Sequence, residues 1–394
     1  MKRTCVSLLI LVGVWACLAT VAAAAQKPAF ELNWYGSLKL DGAYDQNLTS
    51  NGNFAMWVEP TLPDANDQQF NMTANATRFG VLAQNTRNKN VDITGNIEFD
   101  MYAGAFSGPT PQENNPMLLL RQAYFALQWR STRLTAGQTN DLVSPLEPTT
   151  LNYATLWGCG NIGYRRPQVS LAYVVNASPT TDVTLAGGFF RTIGSDLTPT
   201  FSLALGETQD ISDDGTDAAI PSIQTMMDVN HKMASGGTLR VGLSGLYGSL
   251  KAETNLGNYE KYESWAFSTH MMLTTPGGAG VAGEFFTGSN LQSYFGGVMN
   301  DSRIEGVRTK GGWLSGWFQP TPQVKLTGGF GIDDPNDEEV ISGRTQNRCV
   351  FGNVNYSFVP QVTLGLELSQ WQTKYVGGAN ADNFRVQTSM ALTF

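Results

Sequence analysis

Apolar and polar residues alternate along most of this sequence, in segments of about ten residues. In the segment VDITGNIEFDMY, Val91, Ile93, Ile97 and Phe99 share one parity, and the even positions from 92 to 100 are polar or acidic. Successive side chains of a β-strand point to opposite faces of the sheet, so a period of two predicts strands with one apolar face. We find no convincing 3.6-residue pattern, and the sequence therefore predicts an all-β fold.

The first residues have the pattern of an export signal. Lys2 and Arg3 give a basic start, VSLLILVGVWACLATV is apolar, and AAAAQ supplies small residues. This pattern predicts a signal peptide over residues 1–25 and a mature chain over residues 26–394. A lipoprotein signal ending at Cys17 fits poorly, because bulky Trp15 lies just before the small residue.

Charge and hydropathy narrow the class of protein. The formal net charge of −8 becomes −10 once Lys2 and Arg3 are removed, and no dense basic block follows, so nucleic-acid binding is excluded. After residue 25 no run of eighteen apolar residues remains, so no transmembrane helix is expected. An exported chain of this kind is either a secreted soluble β-protein or a barrel of the bacterial outer membrane. The strands are too long for a typical soluble sandwich, which favours the barrel.

The connections between strands alternate in length, which is typical of membrane barrels. Gly, Pro, Asn and Ser predict seven tight turns at 85–90, 130–132, 177–182, 234–237, 275–279, 320–323 and 359–361. Longer polar stretches predict eight loops near 46–68, 103–116, 139–160, 191–220, 251–262, 290–303, 333–345 and 376–383. Together they join sixteen strands in a transmembrane antiparallel β-barrel with both termini on the periplasmic side.

The segment FRVQTSMALTF predicts a last strand, residues 384–394, that pairs with the first strand and closes the barrel. Aromatic residues at the turn-side ends of strands predict a girdle at the membrane interface. Its expected members are Trp34, Trp129, Trp317, Phe358 and Phe394. Sixteen strands enclose an aqueous lumen, so the sequence predicts a pore.

Several short stretches carry more than a pattern. YGSLKLDGAYD, TRFGV, LLRQAYFALQW, LTAGQTND, GEFFTGSNL, GIDDP and LGLELSQWQTKY follow one another between about residues 34 and 394. In this order they resemble the DcaP-like outer-membrane porins. The resemblance implies a trimeric sixteen-stranded porin for small, mostly anionic solutes such as dicarboxylates. Members of that family can carry a helical segment before the barrel, whereas here the first strand begins within ten residues of the predicted cleavage site.

The loop at about 139–160 is the expected constriction, because the third loop of a sixteen-stranded pore is the usual one to fold inward. Asp141 and Glu147 would supply its acidic side. By parity, six basic residues are expected to line the wall of the lumen: Lys39, Arg78, Arg240, Lys325, Arg348 and Arg385. Two more, Arg165 and Arg166, begin the strand immediately after the loop. The same parity sends acidic residues inward: Asp41, Glu98, Asp100, Glu284 and Glu367. An arginine ladder for anions and a merely polar lumen both remain open.

Two cysteines remain after processing, and no metal or cofactor site is predicted. Cys159 ends the expected constriction loop and Cys349 begins a late strand, so the two either form a disulfide or stay as free thiols. The acidic run at 333–339 matches no defined calcium loop and is read as a solvated outer loop.

The sequence predicts an outer-membrane diffusion porin, a homotrimer in contact with lipid and lipopolysaccharide. The alternative is a structural or partner-binding barrel without an open pore, such as a sheath for an electron carrier or a surface protein. An enzyme is not expected. Ser268 and His270 share a face, but two residues apart on one strand they point alike, and no positioned acid follows from the sequence.

Overall fold

The structure is a computed structural model that describes residues 30–60, 67–85, 90–106, 115–194, 214–255, 258–300 and 306–394. The predicted signal peptide, residues 1–25, lies outside the described residues. None of the helices in the described ranges is long and apolar enough to span a membrane.

A single closed antiparallel sheet forms the body of the protein. β1 pairs with both β2 and β3, and from β3 onward each strand pairs with its neighbour in sequence. β17 pairs with β1, with Leu38 opposite Leu392, which closes the barrel. The strands are β1 (Phe30–Asp45), β2 (Gln69–Thr73), β3 (Arg78–Asn85), β4 (Asp92–Asp100), β5 (Leu119–Trp129), β6 (Thr132–Asn140), β7 (Arg165–Ser178), β8 (Thr181–Phe190), β9 (Ser222–Lys232), β10 (Thr238–Asn255), β11 (Asn258–Thr274), β12 (Ala279–Ser289), β13 (Arg308–Thr321), β14 (Val324–Pro335), β15 (Arg344–Val359), β16 (Val362–Tyr375) and β17 (Asn380–Thr393).

The short strands β2 and β3 together occupy one position in the wall. Residues 41–45 of β1 pair with β2, and residues 30–37 of the same strand pair with β3. Between β2 and β3 the chain leaves the ladder of hydrogen bonds with β1. There the hydroxyl of Thr77 accepts a hydrogen bond from the Lys39 backbone N–H at 3.1 Å. The wall therefore has the sixteen strands that the sequence predicts.

The two faces of the barrel differ as the alternation predicts. Trp34, Leu38, Leu40 and Tyr44 of β1 are exposed on the outer face, whereas Asp41 and Asp45 are buried inside. Most of the predicted girdle also lies outside, since Trp34, Trp129, Phe358 and Phe394 are exposed. Trp317 is the exception, because it shares the parity of buried Trp313 and lines an internal cavity, and Phe318 is exposed in its place. The result is a continuous apolar outer surface, as contact with lipid requires.

Six of the seven predicted tight turns lie at one end of the barrel, together with the start of β1 and the end of β17. The seventh, at 85–90, includes residues 86–89, which lie outside the described residues. Long connections lie at the other end, which is the extracellular end in barrels of this class. One predicted loop is wrong. Residues 251–262 belong almost entirely to β10 and β11, which extend to Asn255 and restart at Asn258. Polar side chains on both faces made these strand ends look like a loop in the sequence.

Candidate functional site

The connection between β6 and β7, residues 141–164, reaches widely separated parts of the wall. Near its start, the Leu142 N–H donates to Gln224 on β9 at 2.8 Å. Further along, the Leu151 N–H donates to Glu367 on β16 at 2.7 Å. Both acceptors lie on the polar inner face of their strands. The segment thus packs against the inner face at well-separated strands, and its role as the constriction stays a prediction.

Two buried carboxylates hold this segment. Glu284 accepts hydrogen bonds from the Leu146 N–H at 2.8 Å, from the Ser144 hydroxyl and from the Trp313 indole. Glu367 accepts from the Leu151 N–H and, at 2.9 Å, from the Asn353 amide. Neither carboxylate forms an ion pair with another described residue. Their oxygens instead accept hydrogen bonds from backbone N–H groups of the segment. These two wall residues therefore hold the backbone of the segment in place.

Two glycines allow the segment to touch the wall. A Cβ added at Gly331 of β14 would lie 2.2 Å from the carbonyl oxygen of Cys159. A Cβ added at Gly160, which has a φ of +105°, would lie 2.1 Å from the carbonyl oxygen of Gly312 on β13. Only glycine accommodates backbone contacts this close, and only glycine adopts such a φ at little cost.

Three loops pack together, rather than the one that the sequence predicts. Trp157 stacks on Phe295 of the β12–β13 loop, with 4.4 Å between ring centroids, and the Gly158 N–H donates to the Phe295 carbonyl at 2.9 Å. Asn152 exchanges hydrogen bonds with the backbone of Ala55, which lies in the β1–β2 loop. The guanidinium of Arg344 lies 3.9 Å from the centroid of the Trp57 ring. The three loops therefore form one packed unit.

Most of the inward carboxylates face a basic side chain. Asp141 lies 2.8 Å from the Nε of Arg166, and Asp228 lies 2.6 Å from the Nε of Arg240. Asp45 pairs with buried Arg385. Asp41 lies 3.2 Å from Lys39. The carboxylates of these pairs are largely neutralised by their partners.

Arg121 is a lumen residue that the sequence analysis missed. It lies 2.7 Å from both Glu98 and Asp100, whereas Arg78, one of the predicted lumen cations, is 3.7 Å from Glu98 and half-exposed. In the pairing of β4 with β5, Gln122 faces Glu98 and Leu120 faces Phe99, so Arg121 is the extra residue of a β-bulge. A bulge shifts the alternation of inward and outward residues by one position. Counting every second residue therefore does not predict that Arg121 points inward.

A cavity of about 710 Å³ lies between the loop 141–164 and the wall, and three predicted cationic residues line it: Arg165, Arg240 and Lys325. The Arg165 side chain is buried, with its guanidinium 4.6 Å from the Tyr164 ring centroid. Its Nε and Nη2 have no hydrogen-bond partner among the described residues. The Lys325 ammonium lies 5.4 Å from the centroid of Trp317. Exposed Glu147 also lines the cavity.

One prediction about this region is wrong. Arg348 is exposed and shares the parity of Val350, so it points outward, whereas its neighbours Asn347 and Cys349 are buried inside. An outward charge is tolerated there because the position is near the extracellular rim, where the cost of a charge on the lipid face is small. Of the two alternatives left open for the cysteines, the structure has the free thiols: Cys159 and Cys349 are both unpaired and lie buried in one apolar cluster.

Ser268 and His270 do not form a nucleophile and base pair. Both side chains are buried on the inner face of β11, and the Ser268 hydroxyl has no hydrogen-bond partner within the described ranges. The imidazole Nε2 of His270 lies 3.6 Å from Asp228, whose other oxygen binds Arg240.

A closed sixteen-stranded barrel with an apolar outer face and a polar interior is the architecture of porin-type outer-membrane β-barrels. Among solved structures, the outer membrane channel DcaP of Acinetobacter baumannii has a TM-score of 0.69 at 18% identity, covering 95% of this chain and 100% of that chain. The anion-selective porin from Comamonas acidovorans has a TM-score of 0.55 at 12% identity, covering 93% and 100%. OmpF of Salmonella typhi, in complex with daunomycin, has a TM-score of 0.54 at 12% identity, covering 92% and 97%.

No protein-family profile and no curated protein sequence matches the chain. The resemblance to DcaP-like porins that the sequence stretches predict is confirmed at the level of the fold.

Proposed function

We propose that the protein is an outer-membrane porin for the passive diffusion of small hydrophilic solutes, with a preference for small carboxylates such as dicarboxylates. The porin fold shared with DcaP and with an anion-selective porin supports the first part. A homotrimer is the proposed assembly, and the trimer form of OmpT from Vibrio cholerae, which has a TM-score of 0.53 at 12% identity, supports it.

The anion preference rests on Arg165. Its buried guanidinium lines the cavity, and two of its nitrogens lack a hydrogen-bond partner among the described residues. A buried donor without a partner loses free energy that a passing carboxylate would restore. Arginine presents two parallel N–H groups that match the two oxygens of a carboxylate.

The charges around the cavity favour the same solutes. Asp141 is held by Arg166, and the charge of Arg240 is offset by Asp228. Arg165 and Lys325 have no ion pair among the described residues, and the lining contains one acidic residue besides the paired Asp141, exposed Glu147. The balance of unneutralised charge is therefore positive, which raises the local concentration of small anions.

The alternative is a barrel that sheathes a partner chain and needs an unobstructed lumen. The hydrogen bonds from residues 142–151 to Gln224 and Glu367 speak against it, because they hold a loop against inner-face residues of strands far apart in the wall. A porin needs such a narrowing in order to select solutes, whereas a sheath does not.

The test is single-channel recording in a planar lipid bilayer under a salt gradient. We expect conductance steps in groups of three and a reversal potential on the anion-selective side. Arg165→Gln should move that potential toward cation selectivity without abolishing conductance. Arg348→Gln is the matched control, because it removes the same charge from the outer face, and it should leave the potential unchanged.

Each part of the proposal has its own contradicting result. A folded barrel without conductance would exclude the porin and favour the sheath. Conductance with cation selectivity would keep the porin and overturn the role of Arg165. Single steps without grouping would overturn the trimer alone.

A further inference from the structure

A buried histidine, His270, lies on the inner face of β11 among three charged side chains. Gly242 of β10 faces both Asp228 of β9 and His270 in the pairing of the strands. On its other side, His270 faces Glu284 of β12. The guanidinium of Arg240, two residues before Gly242, binds Asp228 on the same inner face. His270 is therefore the one titratable imidazole in a row that already holds two carboxylates and a guanidinium.

Gly242 allows the imidazole ring to reach across β10 toward Asp228. A Cβ added at Gly242 would lie 2.5 Å from Cε1 and 2.6 Å from Nε2 of His270. The ring therefore occupies the space that a side chain on β10 would fill. From there its Nε2 lies 3.6 Å from the Oδ1 of Asp228, which is slightly too long for a hydrogen bond.

The facing atoms of this pair have no other partner. Nδ1 and Nε2 of His270 and Oδ1 of Asp228 form no hydrogen bond with any described residue, and both side chains are buried. A buried polar atom without a partner costs free energy. In an imidazolium both ring nitrogens are donors, so Nε2 would face the free oxygen as a charged donor. A small approach of the two side chains would then satisfy both atoms.

The charges around His270 favour the addition of a proton. Asp228, Glu284 and Arg240 together leave a formal charge of −1, which an imidazolium would cancel. The groups of the loop 141–164 that contact Glu284 do not titrate, since they are the Ser144 hydroxyl and a backbone N–H. An ordinary imidazole takes up a proton near about pH 6.5, so a modest change of pH can alter this row. Glu284 is the competing proton acceptor.

Arg240 connects the row to the cavity of about 710 Å³ beneath the loop. Arg240 and its cross-strand partner Met272 both line this cavity. The Nε of Arg240 lies 2.6 Å from the Oδ2 of Asp228, so the carboxylate offsets the guanidinium while His270 is neutral. When an imidazolium shares the carboxylate, more of the positive charge of Arg240 acts on the cavity.

We propose that His270 makes the anion selectivity of the pore depend on pH. Protonated His270 takes up part of the charge of Asp228, which leaves Arg240 less neutralised, so the pore prefers small anions more strongly as the pH falls. His270 is a positioning residue, because it acts on the solute through Asp228 and Arg240. The inference rests on the proposed function and adds a proton to the control of its selectivity.

The test measures reversal potentials in a planar lipid bilayer under a KCl gradient, at about pH 8 and at about pH 5.5. For the native protein we expect the chloride-to-potassium permeability ratio to rise at least about twofold at the lower pH. H270Q should lose most of this rise. H231Q is the matched control, because His231 is the other of the two histidines and shares the outward parity of exposed Met227 on β9. It should respond to pH as the native protein does.

Asp228→Asn distinguishes this route from a general effect of pH on the lumen. An amide does not offset the charge of Arg240, so D228N should be strongly anion-selective at both pH values. H270Q should instead keep the weaker selectivity at both. The two variants therefore lose the pH response at opposite ends of the range, and their single-channel conductance shows that each is folded.

The protonation of the ring can also be followed without conductance. In H231Q the imidazole of His270 is the single one left in the chain, so its NMR signal in detergent micelles belongs to this residue. We expect the signal to move from the neutral toward the charged position between about pH 8 and about pH 5.5.

Three results would overturn the proposal. A pH response that persists in H270Q and disappears in E284Q would assign the proton to Glu284. A ring signal that stays at its neutral position throughout the range would exclude the imidazolium. A conducting, anion-selective pore whose reversal potential ignores pH would contradict this inference alone, whereas a folded barrel without conductance would contradict the proposed function and this inference together.

Discussion

The Nε of Arg166 lies 2.8 Å from the carboxylate of Asp141, and both side chains are fully buried. The pair joins Arg166, the second residue of β7, to the first residue of the loop 141–164. Asp141 also accepts hydrogen bonds from the Gln224 amide and from the Tyr164 N–H. A single carboxylate therefore ties both ends of the loop to β9.

We expect Asp141→Ala to destabilise the barrel strongly, because it leaves the Arg166 charge buried without its partner. Breaking a buried ion pair in this way costs about 3–5 kcal/mol. Urea unfolding in lipid vesicles measures the change. Glu147→Ala, which removes an exposed carboxylate from the same loop, is the control and should change the free energy of unfolding by no more than about 0.5 kcal/mol. Similar effects of the two variants would contradict a structural role for the Asp141 pair.

Arg121→Leu should shift the pore toward cation selectivity. The substitution leaves Glu98 and Asp100 without the guanidinium that lies 2.7 Å from each, so two negative charges face the lumen. Reversal potentials under a salt gradient report the change. Arg78→Leu should have a smaller effect, because Arg78 is 3.7 Å from Glu98 and half-exposed. If the Arg78 variant shifts selectivity more than the Arg121 variant, the assignment of partners is wrong.

Gly331→Ala should displace the loop from the wall at Cys159. The new methyl group would lie 2.2 Å from a backbone oxygen, which cannot move as a flexible side chain can. Overpacking of this kind costs about 1–3 kcal/mol, and a displaced loop should also alter single-channel conductance. Gly352→Ala, on β15, adds a methyl group 4.0 Å from its nearest neighbour and serves as the control. Unchanged stability and conductance in the Gly331 variant would show that the loop does not rest on β14.

Cys159 and Cys349 should both react with a thiol reagent only after unfolding. Each thiol is free and buried, and burial raises the pKa of the loop cysteine Cys159 well above its usual range. The folded protein should therefore resist alkylation at pH 8, where an exposed cysteine is partly a reactive thiolate. In denaturant without reductant, alkylation at both positions is the expected result. Protection that persists until a reductant is added would reveal a disulfide.

The closing of the barrel was predictable because its causes are local. A period of two decides which side chains share a face, and Gly, Pro and Asn decide where strands turn. These rules place Lys39, Asp41 and Arg385 inside and Leu38 and Leu40 outside, as the structure has them. The sixteen strands, and the six predicted short turns that fall wholly within the described residues, follow from the same local signals.

The lining of the lumen depended on contacts between distant parts of the chain. A β-bulge turns Arg121 inward, which a strict period of two does not predict. The parity assigned to Arg348 was wrong, because Arg348 shares the outward parity of Val350. The sequence by itself determined the barrel, because strand alternation and turns are properties of neighbouring residues. Only the tertiary structure decided how the three loops pack and which cations stay without a partner, because hydrogen bonds such as that from Leu151 to Glu367 join residues 216 positions apart.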